Sequence, residues 1–246
     1  MSNEFQTHLP PISEIWVYLS GSPLLALVLT LSAYLLGLTL YERSQRNPLA
    51  NPVLIAVVVV TLSISVLDMP YAKYFEGAQF VHFLLGTATV SLAIPIYKGF
   101  ASLKGRMGVL MLSLVAGGIT SVFTAVGVAR WLGVDESLVR GLVAKSVTAP
   151  IAMGIAERVQ ASPTLTAIFA VSTGILGAIL GRYVLDVLRV TQWWQRGFAL
   201  GVAAHGIGTS RAFSVHPEAG AYASLGMGLH GIVGAVVIPY AVAWWF

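Results

Sequence analysis

The chain is 246 residues long, 57% hydrophobic and only 10% charged, with a mean hydropathy of +0.81; a soluble domain carries roughly 25% charged residues, so a water-facing shell is excluded and a membrane domain filling nearly the whole length is implied. The net charge of +4 comes from 14 basic against 10 acidic residues scattered between apolar runs, which suits loops beside anionic headgroups and excludes nucleic acid as a partner. Cysteine is absent, so disulfides, iron–sulfur clusters and thiol catalysis are excluded.

Residues 1–20 form a polar tail with Glu4 and Glu14 and no Lys or Arg; a signal peptide would begin with positive charge. Residues 21–246 read as one membrane domain. A membrane helix needs roughly 20 mostly apolar residues. Uncharged runs at 21–41, 47–67, 77–97 and 107–129 supply the first four candidates. The fifth, 138–155, holds Lys145 well inside it. The sixth, 159–181, is rich in Thr, Ala and Gly; the seventh, 197–212, is short and Gly-rich; the eighth, 219–246, has no formal charge. The expected fold is an all-α polytopic membrane protein of about eight segments, or seven if one broken segment re-enters. Length argues against strands, and continuous apolar runs argue against a barrel.

Arg43, Arg46, Lys98, Lys104 and Arg106 follow the first and third segments. The positive-inside rule therefore places the 42–50 and 98–106 loops in the cytoplasm. Asn51 and Pro52 break the start of segment two, and Pro95 interrupts segment three. Pro150 breaks segment five, and Gly206 and Gly208 break segment seven. Broken segments in matching places predict two inverted repeats, about 21–131 and 138–246. Ordinary Gly, Thr and Pro kinks are the plain alternative.

The polar residues inside these segments are the candidate site. Lys145, with Ser146 and Thr148 beside it, offers an ammonium and two hydroxyls where burial of charge is costly; snorkelling to the interface is the alternative. His205, Thr209, Ser210 and Arg211 form a second group, with Arg211 able to grip a carboxylate bidentately and His205 able to carry a proton. Thr87 and Thr89 add hydroxyls in segment three, although such side chains often bond back to their own helix. Basic and hydroxyl groups without buried acids favour a small anionic substrate. No metal site and no cofactor is expected, and Ser210 near His205 is too weak a pairing to make the chain an enzyme.

Four ordered motifs carry a resemblance. They are residues 51–55 (NPVLI), 84–90 (LLGTATV), 145–152 (KSVTAPIA) and 205–212 (HGIGTSRA). Together they resemble the LrgB/CidB family over about residues 20–246, and are similar to the LrgB-like domain of the plastidial glycolate/glycerate transporter. Ala144 and Thr87 stand where the family usually has Pro. The resemblance implies a multi-pass protein of the bacterial cytoplasmic membrane, working with a small LrgA/CidA-like membrane protein. It implies two functions. The leading expectation is transport of a small monocarboxylate, pyruvate- or glycolate-like, coupled to protons or sodium, with the anion between Lys145 and Arg211. The alternative is antiholin-like regulation of murein hydrolase export and cell lysis through a membrane partner. Small-residue surfaces further suggest a homodimer in the lipid bilayer.

Overall fold

A computed structural model describes residues 23–91, 94, 97 and 105–245. The N-terminal tail, Pro95, Lys98 and Lys104 lie outside the described residues, as does the side chain of Thr89.

Helix α1 (Pro23–Arg43) leads through a 3-10 turn at Pro48–Ala50 to α2 (Pro52–Val66) and α3 (Tyr71–Ser91). The break between α1 and α2 follows from its residues. Asn51 turns its side chain back to accept from the Val53 and Leu54 amides at 2.9 and 3.1 Å, and Pro52 occupies the first turn, where no amide donor is needed. Helix α1 packs against both α2 and α3, and Thr30 meets the Tyr74 hydroxyl at 2.8 Å.

The rest of the chain is α4 (Met107–Trp131), α5 (Glu136–Leu142), α6 (Ala149–Arg158), α7 (Pro163–Val187), α8 (Trp193–Val215) and α9 (Pro217–Trp245). Helix α4 begins at a basic end of the bundle, where Arg106 lies 4.9 Å above the Trp194 ring and 3.2 Å from the Tyr222 hydroxyl. It finishes at the far end, where Arg130 pairs with Glu136 at 2.6 Å. A core joins each end: Leu110, Leu114, Phe198, Tyr222 and Leu225 at the basic end, and Val126, Ala129, Val139, Val159 and Val242 among others at the far end.

Two segments enter the bundle and turn back. The first is α5 and α6. They are 7 and 10 residues long, so the longer spans about 15 Å, half of the hydrocarbon thickness. Val139 and Val159, one near each outer end of the pair, share the far-end core, and the non-helical residues 143–148 form its tip. The second is α8. His205 has φ 40° and ψ −129° inside it, and the chain doubles back there. A Cβ on Gly208 would lie 2.6 Å from the carbonyl oxygen of Leu200, eight residues earlier, and Trp193 stacks on His216 with ring centroids 4.9 Å apart. A straight helix would hold Leu200 and Gly208 about 12 Å apart. The halves 193–204 and 206–215 (α8a and α8b) thus lie side by side, entering from the basic end.

This corrects the expectation of about eight spans. Among the described residues four helices are long and apolar enough to cross a membrane: α1, α4, α7 and α9. The fifth and seventh segments re-enter instead of crossing. Helix α2 has 15 residues, and α3 carries Lys73 and Glu76 in its first two turns. One long helix before residue 50 and three after residue 106 do not make two inverted sets of four spans. The protein is an all-α multi-pass membrane protein with interrupted helices, but not the eight-segment repeat anticipated.

Candidate functional site

The two re-entrant tips come to rest near the middle of the bundle. Ser121 lies ten residues from the end of α4, or about 15 Å, and it receives the first tip. The Lys145 ammonium donates to Ser121 Oγ at 2.7 Å and to Ser146 Oγ at 3.2 Å, and the two serine hydroxyls are 2.5 Å apart. Ser146 is buried and Lys145 is half-buried. The hydroxyls replace part of the water an ammonium requires, and no salt bridge to Lys145 exists among the described residues.

Thr148 and Pro150 restart the helix after this tip. Thr148 is the N-cap of α6 but its side chain makes no capping bond. Its Oγ1 is buried without a hydrogen-bond partner, and so is that of Thr166 on α7. Asp135 at the start of the hairpin does cap, accepting from the Ser137 amide at 2.8 Å and from the Ser137 hydroxyl. These two bonds, the hydroxyl's first, hold its carboxyl below the usual carboxylate range.

The second tip is seated on α7. His205 Nε2 lies 2.8 Å from the Ala170 carbonyl oxygen, and Thr209 Oγ1 donates to the His205 carbonyl at 2.7 Å. Both side chains are buried. Gly206 and Gly208 follow the reversal, where the return helix presses against α8a. His230 on α9 is buried and stands against Gly118, one turn before Ser121.

Arg211 stands apart. Its guanidinium donates to the Tyr41 hydroxyl and, at 2.9 Å, to the Arg46 carbonyl, with its carbon 5.5 Å from the Tyr41 ring centroid. Tyr41 in turn meets Ser214 at 2.8 Å. This node ties α1 to α8b at the basic end. Ser210 is exposed and lines a cavity of about 100 Å³ together with Asn51, Pro52 and Arg211. Thr87 is exposed and bonds back to Leu84 in its own helix at 2.8 Å.

The two cations therefore do not share a chamber. Lys145 lines a groove of about 800 Å³ between α4, α7 and α8a. Arg211 lines the small cavity with Asn51 and another of about 340 Å³ beside Arg182, Asp186 and Arg196. Sequence reasoning missed Ser121, Tyr41 and His230. Ser121 lies four residues after Gly117 on α4, a small-and-polar stripe that points to the partner of a buried cation.

The LrgB-like family profile matches residues 30–244. An uncharacterized protein of Bacillus subtilis, YwbG, is 32% identical over 220 residues, covering 89% of this chain and 97% of its own. A second from the same organism, YxaC, is 30% identical, covering 91% and 96%. The holin-like protein CidB of Staphylococcus epidermidis is 27% identical, covering 89% and 95%. No solved structure matches this chain. Of these three, CidB is described as holin-like and the other two as uncharacterized, and a monocarboxylate carrier is not among them. With Lys145 and Arg211 in separate cavities, the expected carriage of a small monocarboxylate between them is corrected. Among the described residues His205 is engaged with the Ala170 carbonyl and not with Ser210. The profile match, the length covered in each relative and the apolar bundle agree: the chain belongs to the LrgB-like family and is a multi-pass protein of the bacterial cytoplasmic membrane.

Proposed function

We propose that this protein is an antiholin-like regulator of murein hydrolase export and cell lysis, acting through a small membrane partner of the LrgA/CidA type. The observation that carries this reading is its end-to-end similarity to holin-like CidB, which spans 95% of that relative. The bundle suits such a role, because the irregular backbone and the ammonium of its first tip need protein or water around them at membrane depth. The end that gathers Arg46, Arg106, Arg196 and Arg211 faces the cytoplasm under this reading. Lys145, Ser146, Thr148, His205 and Thr209 form the polar centre on which regulation depends. Removing the gene should change the rate of detergent-induced autolysis and the murein hydrolase bands seen by zymography of culture supernatants. The intact chain should restore both, and Lys145→Ala should not. Unchanged autolysis and unchanged bands after deletion would sink the reading.

The homodimer belongs to the same proposal. Helix α3 leaves Phe80 and Phe83 more than 70% exposed, and this is the face on which we place the second copy. Light scattering of the detergent-solubilised chain should give twice the monomer mass, and Phe80→Ala with Phe83→Ala should return it to one. A monomer in the unsubstituted protein would refute the dimer.

A further inference from the structure

The groove that holds Lys145 is open along its side. Helices α4 and α7 both pack on α8, yet make no substantial contact with each other. Between them the outer face of α8a is uncovered, with Ala199 and Ala203 exposed one turn apart. The walls carry small side chains at helical spacing, Gly117 and Ser121 on α4, Thr173 and Gly177 on α7. Such spacing admits another helix at close range. The deep end of the groove is the non-helical tip with its ammonium.

Lipid cannot be the cover. Irregular backbone at membrane depth is tolerated only inside protein or beside water, and acyl chains offer an ammonium neither hydrogen bonds nor charge. The ammonium fixes the chemistry of the cover. Intramembrane cations pair with an anion or line an aqueous path, and no salt bridge to Lys145 exists among the described residues. Its depth matters too: Ser121, its nearest partner, is about 15 Å from the end of α4, out of reach of a headgroup phosphate in place in the bilayer. A second copy of this chain does not supply the anion. Among the described residues every carboxylate lies in a loop or within about two turns of a helix end.

We propose that this groove is the docking site for a membrane-spanning helix of another protein, one bearing a carboxylate at mid-bilayer depth opposite Lys145. The inference rests on the reading that the chain works through a membrane partner, and adds where that partner sits and what residue it must carry. The approaching helix lies along Ala199 and Ala203 between α4 and α7. Its carboxylate accepts from the ammonium now held by Ser121 and Ser146.

The absence of cysteine makes the test direct. Ala199→Cys and Ala203→Cys, with Val236→Cys on the exposed side of α9 as control, are labelled with a thiol-reactive benzophenone in native membranes and irradiated. Both groove positions should give the same heterologous adduct, and Val236→Cys should not. The captured protein should carry Asp or Glu at the centre of a spanning helix. Replacing that acid with Ala, or Lys145 with Ala, should lower adduct yield about threefold or more, the scale of polar pairs between membrane helices. Lys145→Glu combined with the acid changed to Lys should restore it. Adducts with lipid alone, adducts with a second copy of this chain, equal capture from Val236→Cys, or a captured helix with no central carboxylate would each overturn the proposal. If the partner co-purifies and deletion alters lysis while the groove captures nothing, the functional reading stands and the docking site falls. Groove capture with unaltered lysis sinks the functional reading and leaves the docking site.

Discussion

Gly201→Ala will unseat the second re-entrant hairpin. The α8a half runs parallel to α9 with almost no space between backbones. A Cβ on Gly201 would stand 2.0 Å from the Ala223 carbonyl oxygen, and a Cβ on Gly197, one turn earlier, 2.0 Å from that of Ala219. The atoms in the way are backbone, so no rotamer change relieves them, and the helices must separate along their whole contact. Extra methylenes in a packed core cost about 1–3 kcal/mol each; rigid backbone on both sides sets these positions at the upper end. The thermal midpoint of the solubilised protein, followed by fluorescence-detected size exclusion, should fall for Gly197→Ala and for Gly201→Ala. The double variant should fail to accumulate. Gly127→Ala is the control, because a Cβ there meets nothing within 4 Å. A Gly201→Ala protein as stable as the unsubstituted chain would mean that α8a does not lie on α9 as described.

That close approach explains why the seventh segment is short and Gly-rich without being a span. Hydropathy records how apolar a stretch is but not the direction in which it runs. Residues 193–215 have the length of a crossing helix, and only His205 sends them back to the end they came from. Segment five fails in the same way. Its polar tip is legible as an interruption because Lys145 and Pro150 break an apolar run, yet nothing local says whether the chain then continues or returns. The interruptions themselves are readable: Asn51 and Pro52 restart a helix, Pro150 restarts another, and Gly206 with Gly208 follow a reversal. The partners are not readable, because they come from distant segments. Ser121 belongs to Lys145, Ala170 to His205, and Tyr41 with Arg46 to Arg211. Lys145 and Arg211 look like one site in the sequence because both are cations in interrupted apolar segments. The fold separates them because six residues of α8b carry Arg211 away from its tip, toward α1.

His205→Gly will be more stable than His205→Ala, by about 1–3 kcal/mol, which is the cost of holding a side-chain-bearing residue in a backbone region open mainly to glycine. At φ 40° and ψ −129° His205 occupies such a region, and the strain is held in place by its surroundings. Its ring meets the Ala170 carbonyl at 2.8 Å, and its own carbonyl accepts from Thr209 at 2.7 Å. Both substitutions lose the ring's hydrogen bond, worth about 0.5–1.5 kcal/mol, and both leave its volume empty. The difference between them is therefore backbone alone. In a continuous helix the order is the reverse, since Gly is about 1 kcal/mol worse than Ala. The sign of the difference thus separates a hairpin that turns at residue 205 from a helix that passes through it. Chemical or thermal denaturation of the two variants in one detergent reads that sign directly. If His205→Ala proves the more stable, residues 193–215 cross the membrane as one helix, and the second re-entrant hairpin is lost.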